Sequence, residues 1–353
     1  MKIRLLSLVL LLLILSFPAG CAAPAATPTV APPTATLAPA PTATPTVVSG
    51  AAGLSSEEIA ALGSLAQVDD YPLYTMRHQG AYRWVSPPEA SLEQSPAWAC
   101  SLFAALGDPD HRLYGRNFDW DYSPALLLFT DPPDGYASVS MVDIAYLRFG
   151  ANVKSLTSLP LDERVPLLNA PFIPFDGMNE RGLAVGMAAV SPGNVRPDPH
   201  KETVDSLRVI RLMLDQASTV DEAVAILKRY NVDMEGGPPV HYLIADRSGR
   251  AALVEFYRGE VVVMPNNQPW HRATNFLRAS VETAAGQCWR YDKLDQRLTE
   301  TGGRLTASSA MELLGAVSQG GTQWSVVYEI STGEVHMVMG RRYAQAHTFH
   351  LGQ

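Results

Sequence analysis

The sequence predicts an α+β fold, and three observations carry that prediction. Short apolar runs of strand character recur through most of the chain, many closed by turn-forming tetrapeptides. Helical spacing clusters in a few stretches of the middle and late chain. Strand runs interrupted by helix pairs complete the α+β reading, with two sheets in the middle and helices outside.

Met1 to Gly20 carries Lys2 and Arg4, an apolar run over 5–17, and then Ala19-Gly20-Cys21. The run is too short to span a bilayer, which takes about 20 apolar residues, and its basic front is that of an export signal. Residues 1–20 therefore predict a lipoprotein signal peptide, with Cys21 lipidated and the chain anchored to the outer face of a bacterial membrane. Pro18 stands where such sites usually carry an aliphatic residue; plain secretion, with Cys21 a spectator, is the alternative. Residues 21–54 are an Ala/Pro/Thr-rich tether that cannot bury a core.

Residues 55–99 predict a folded pro-segment or small leading subunit, because they are too rich in aromatics for a linker. Ser55-Ser56-Glu57-Glu58 opens a short helix that puts Ile59, Leu62 and Leu65 on one face. An N-terminal decoration that is never removed is the plainer reading. Residues 100–353 have the size of one domain.

Strands are expected over 101–106, 113–118, 125–129, 138–147, 183–190, 241–245, 251–256, 261–264, 324–330 and 335–339. Val204, Leu207, Ile210, Met213 and Leu214 keep helical spacing, and Thr219 with Glu222 makes a capping box before 223–230. Ser309 with Glu312 opens a further helix through Val317. Tight turns between the strands call for antiparallel pairing. The net charge of −8, without a basic cluster, argues against a nucleic-acid partner. Three cysteines make no disulfide framework, and Cys288 reads as buried.

The chemistry centres on residues 99–120. A hairpin of 101–106 with 113–118, turned at Gly107-Asp108-Pro109-Asp110, folds Arg116, Asn117 and Asp119 back beside Cys100. A soft nucleophile beside a cation and a carboxylate has an evident chemical use.

Cys100-Ser101-Leu102-Phe103 followed by Tyr114-Gly115-Arg116-Asn117-Phe118-Asp119-Trp120 resembles the opening of the linear-amide hydrolases of the choloylglycine hydrolase type. These N-terminal-nucleophile enzymes include penicillin V acylases, acid ceramidase-like amidases and acyltransferase-like peptidases. The resemblance implies a four-layer αββα sandwich with two central antiparallel sheets, and a mature catalytic chain that begins at the nucleophile, here by cleavage of Ala99-Cys100. Such a residue unites a thiol of pKa about 8.5 with an α-amine near about 7.7–8.0 that serves as its base. Asp119 would then bond the new amino group, and Arg116 would lower the thiol pKa.

The resemblance continues through Asp176–Leu183, a turn leading into a strand that borders the site, to Ala189, where the choloylglycine hydrolases have an Asn whose backbone N–H helps form the oxyanion hole. In Arg272-Ala273-Thr274-Asn275-Phe276, Asn275 matches the side-chain oxyanion donor, and Arg290 in Cys288-Trp289-Arg290-Tyr291 matches a second active-site cation. Residues 324–328 and 347–351 resemble the family's closing strands. His347 and His350 lack matching ligands upstream, so no metal is expected, and no cofactor.

The function these residues predict is a surface-tethered cysteine amidase acting on a linear amide through an acyl-Cys100 intermediate. The expected partners are a small-molecule amide with an apolar acyl group, for which 125–129 is a compatible groove wall, and the membrane through Cys21. The alternatives are acyl transfer at the same site, or a lipid-anchored binding protein that is never activated.

Overall fold

The computed structural model describes residues 53–85, 99–150, 155–191, 196–235 and 237–352. The expected signal peptide, Cys21 and nearly all of the tether lie outside the described residues, as do residues 86–98 of the expected pro-segment.

The chain opens with α1 (Ser56–Gly63), β1 (Ala66–Asp69) and β2 (Leu73–Gln79). Next come β3 (Ala99–Ala105), β4 (Leu113–Asp119), β5 (Ala125–Asp131) and β6 (Ser138–Asp143). A one-turn helix α2 (Leu161–Arg164) precedes β7 (Asp176–Asn179) and β8 (Leu183–Ala189). The middle holds β9 (Thr203–Asp205), α3 (Arg208–Gln216), α4 (Val220–Arg229) and β10 (Asn231–Asp233). Four strands follow: β11 (Val240–Asp246), β12 (Ala251–Tyr257), β13 (Glu260–Pro265) and β14 (Trp270–Ala273). The chain closes with α5 (Trp289–Thr301), α6 (Ala307–Ala316), β15 (Thr322–Glu329), β16 (Glu334–Met339) and β17 (His347–His350).

Two large sheets result. One has the order β1-β2-β5-β6-β7-β8-β11-β12-β13, the other β14-β3-β4-β15-β16-β17. Helices α3 and α4 pack on the first sheet, and α5 and α6 on the second. Between the sheets lies an apolar layer that includes Leu102, Tyr114, Phe118, Ala184, Leu243 and Val326. The outer face of the smaller sheet buries Phe103, Leu113 and Val327 against Leu294, Leu298 and Leu314 of the helices. This is the four-layer αββα sandwich.

Pairing within the large sheets is antiparallel except at one join. β2 runs parallel to β5 from Leu73–Ala125 to Gln79–Asp131. The connection between them passes through β3 and β4 of the other sheet, and a crossover of that length permits parallel pairing where a tight turn cannot. The leading segment thus supplies two strands of the larger sheet. It also reaches the smaller one. Asp69, at the end of β1, accepts from Arg342 and lies 2.6 Å from His347 Nε2, and Tyr71 donates to Gln323 over 2.9 Å.

Several local expectations change for visible reasons. The strand expected over 138–147 stops at Asp143, whose carboxylate accepts the Ala145 N–H and starts a 3-10 turn over Ile144–Leu147. Val204 belongs to β9; Asp205 then accepts the N–H groups of Leu207 and Arg208, so α3 begins at Arg208. The box before α6 is Thr306 with Ser309, one turn ahead of Ser309 with Glu312. In α1 the capping box of Ser55 and Glu58 forms, but Ile59 is exposed, Leu65 lies beyond the helix, and Ala61 and Leu62 carry the buried face. Cys288 caps α5 and is half-buried, because a helix N-terminus at the sheet edge leaves one side open.

Candidate active site

The register of the β3–β4 hairpin sets Cys100 opposite Phe118, Leu102 opposite Arg116, and Ala99 opposite Asp119. Strand alternation then sorts these residues between two faces. Cys100, Leu102, Arg116 and Phe118 face the larger sheet. Ser101, Asn117 and Asp119 face α5 and α6, and Asn117 Nδ2 donates to the Leu314 carbonyl there over 2.8 Å. The sheets come close because Gly186 of β8 has no side chain: a Cβ at that position would sit 2.9 Å from Tyr114 Oη and 3.0 Å from Leu102 Cδ2.

Arg116 is fully buried. Its guanidinium donates to Asp176 at the start of β7, and Nη2 lies 3.7 Å from Cys100 Sγ. The other Asp176 oxygen accepts Tyr328 Oη at 2.5 Å. A buried cation requires such a counter-charge, and this one is supplied across the gap between the sheets. Cys100 itself is 1% exposed in the intact chain. Burial pushes its thiol pKa up, and Arg116, which pulls the other way as expected, does not overcome it.

Arg290 reaches Cys100 from the other face. It stands in the first turn of α5, and its Nη1 donates to the Cys100 carbonyl and, over 2.9 Å, to Ser101 Oγ. Nη2 donates to Asn275 Oδ1 over 2.9 Å. Asn275 is placed by β14, whose last residue pairs with Leu102, so the chain leaves the sheet beside Cys100. Asn275 Oδ1 also accepts the Cys100 N–H at 2.6 Å, and Nδ2 donates to the Ala189 carbonyl over 2.8 Å. One side chain thus joins the two sheets at Cys100.

Asp119 does not take the Cys100 N–H in the intact chain, since Asn275 holds it. Its carboxylate accepts from Thr322 Oγ1 at 2.5 Å and Gln319 Nε2 at 2.8 Å, with Arg290 Nη1 3.9 Å away. Burial pushes the Asp119 pKa up against those donors. At Ala189, the Val190 N–H bonds the Pro239 carbonyl, so the alternation of an antiparallel ladder turns the Ala189 N–H and C=O away from β11. They face the side where β7 has ended.

All the expected residues of the catalytic domain, Cys100, Arg116, Asp119, Ala189, Asn275 and Arg290, therefore converge. Asp176, Tyr328, Thr322, Gln319 and Ser101 join them without having been singled out. Asp176 opens a stretch read as a turn, but it is a strand residue. The signal for it was the need of a strand-borne arginine for a partner. His347 and His350 are occupied by Asp69 and the Thr332 carbonyl. Among the described residues a possible metal-donor group, Glu329, Glu334 and His336, sits at the far end of the β15–β16 hairpin.

A family model for linear amide C–N hydrolases of the choloylglycine hydrolase family matches residues 100–280. Among solved structures, a cysteine-to-alanine variant of conjugated bile acid hydrolase from Clostridium perfringens is 17% identical with a TM-score of 0.50, over 72% of this chain and 92% of that one. An arginine-to-leucine variant of the same enzyme gives 14% identity and a TM-score of 0.50, over 72% and 93%. Penicillin V acylase from Agrobacterium tumefaciens is 15% identical with a TM-score of 0.47, over 68% and 83%. At these identities the bile acid hydrolase structures establish the shared fold. With the family match spanning the stretch from Cys100 past Asn275, the chain belongs to the choloylglycine hydrolase family of linear amide C–N hydrolases.

Proposed function

We propose that the chain is a surface-tethered cysteine amidase that hydrolyses a linear, non-peptide amide through an acyl-Cys100 intermediate, after cutting its own Ala99-Cys100 bond. The observation that carries this reading is that the two reacting atoms of Cys100, nitrogen and sulfur, and its carbonyl beside them each have a partner of their own. The N–H meets Asn275 Oδ1, the sulfur meets Arg116, and the carbonyl meets Arg290.

Self-cleavage is an acyl shift. The Cys100 thiol attacks the Ala99 carbonyl, an S–C bond replaces the C–N bond, and the proton released by sulfur ends on the Cys100 nitrogen. Water then cleaves the thioester, leaving the Ala99 carboxylate, the free thiol and a free α-amine. In turnover that amine takes the thiol proton, the thiolate attacks the substrate carbonyl, and the proton passes to the departing amine. The second hydrogen of Asn275 Nδ2 and the Ala189 N–H would receive the oxyanion. Asp119 would hold the new ammonium, and water finally cleaves the acyl-Cys100 thioester.

The apolar layer around Cys100 supports a substrate with an apolar acyl group, and the leader supports a lipidated Cys21 on the outer face of a bacterial membrane. The test is N-terminal sequencing and intact mass of the detergent-extracted full chain beside Cys100→Ala and Cys21→Ala. A new chain starting at Cys100, absent from Cys100→Ala, is expected. Extraction without detergent is expected only for Cys21→Ala. An uncut wild type that also ignores an acyl-type thiol probe would overturn the enzymatic part.

A further inference from the structure

Asn275 sits on a loop without a strand of its own. β14 ends at Ala273, and the next regular element is one 3-10 turn over Arg278–Ser280. That far end is held by a single carboxylate from the larger sheet. Glu255, on β12 and fully buried, accepts the Arg278 N–H on Oε1 and the Ala279 N–H on Oε2, both at 2.8 Å. Its Oε1 also lies 2.9 Å from Nδ1 of His241, a buried residue of β11 one step beyond the Tyr242–Val254 pair.

The geometry closes on itself. His241 stands directly opposite Ala188 of β8, and the next residue, Ala189, accepts Asn275 Nδ2. Asn275 is therefore pinned from its side chain through Ala189 and from its loop through Glu255, with His241 beside both. Burial works against an ionised Glu255, but His241 and the two backbone N–H groups hold its pKa below the usual carboxylate range. An ionised carboxylate only accepts, so Nδ1 of His241 carries the proton and fixes the tautomer.

We propose that Glu255, oriented by His241, is a positioning residue that sets Asn275 against the Cys100 N–H and so governs how fast the site reacts. The inference rests on the self-cleaving amidase reading. An apolar residue at 255 could fill the volume, but it would take the carboxylate from the Arg278 and Ala279 N–H groups and leave the loop free to shift. A displacement of about 1 Å at a reacting centre can cost on the order of a hundredfold in rate.

The experiment uses the full chain, with Glu255→Gln, Asn275→Ala and the pair combined, and follows appearance of the Cys100 N-terminus while thermal melts report folding. Glu255→Gln is expected to slow cleavage about tenfold in the wild-type background and less than about twofold when Asn275 is already alanine. Equal slowing in both backgrounds would overturn the proposal, because a general loss of structure adds regardless of Asn275. His241→Phe, a variant that spares the carboxylate, is expected to slow cleavage about threefold, with His241→Gln restoring the rate through its amide donor. Should Glu255→Gln fail to fold, that pair decides: a slow His241→Gln sinks the idea.

A wild type that is never cut would end the amidase reading alone. The clamp is then judged by hydrogen exchange, which needs no turnover and also serves if Asn275→Ala abolishes cleavage. Glu255→Gln is expected to speed exchange at Cys100 together with Arg278 and Ala279. Faster exchange confined to Arg278 and Ala279 would overturn it.

Discussion

The two faces of the β3–β4 hairpin each bring an arginine to Cys100, and the two are held in different ways. Arg116 rises from a strand into the layer between the sheets, where a carboxylate meets it in direct contact. Arg290 comes from a helix on the opposite face and is held by a carbonyl, a hydroxyl and an amide oxygen, with Asp119 3.9 Å away. The first cation is neutralised where it stands, so its main debt is to the fold. The second keeps its charge for the backbone of Cys100. Equal charge therefore predicts unequal consequences of substitution.

The sharpest break is Arg116→Met, which leaves Asp176 buried and unpaired. A loss of about 3–5 kcal/mol in urea unfolding is expected, and the double variant Arg116→Met/Asp176→Leu should recover most of it while remaining uncut. A single-variant loss under about 1 kcal/mol would mean that the pair does not hold the sheets as described. Next comes Arg290→Lys. An ammonium cannot reach three acceptors in the guanidinium plane, so the rate of Cys100 cleavage is expected to fall about a hundredfold. Its unfolding free energy should change by only about 1 kcal/mol. A stability loss matching that of Arg116→Met would erase the contrast.

The mildest test reads the thiols. Burial raises the Cys100 pKa in the uncut chain. At Cys288 burial also pushes upward, but the Thr274 hydroxyl and the neighbouring Arg290 charge outweigh it and the pKa falls. A raised pKa means less thiolate at a given pH, so iodoacetamide near neutral pH should mark Cys288 first, with Cys100 following only as the pH rises past the ordinary thiol range. Peptide mass mapping checks the order, and prior labelling of Cys100 in uncut protein would contradict it.

How far the sequence carried depends on whether a residue's partner was nearby. Strands were legible because apolar runs closed by turns have few other readings, the helix opened by Ser55-Ser56-Glu57-Glu58 formed, and so did the box of Thr219 with Glu222. The box at Thr306 escaped because its third helical residue is Ser309, which lacks the usual Glu or Gln. Sheet membership was not legible. Residues 113–118 and 125–129 look alike in composition, yet β4 and β5 belong to different sheets, and both are buried on both faces. The apolar run 125–129, expected as a strand and also compatible with a groove wall, is a central strand of the larger sheet. Within the site, the residues carried by motifs came together, but the motif that opens at Asp176 did not announce its pairing with Arg116, and nothing announced Glu255. Their partners lie on other strands, and no spacing rule joins them.

The parallel seam between β2 and β5 has a consequence for how the protein would behave as a population. Before a cut at Ala99-Cys100, the two strands share one polypeptide, so the effective concentration of each for the other is fixed, as for any tethered pair. Afterwards the same seam, with Asp69 against Arg342 and His347, becomes a bimolecular interface governed by mass action. The leading piece would then act as a ligand of the body it once preceded. Melting of the cut protein would depend on dilution, and melting of the uncut chain would not.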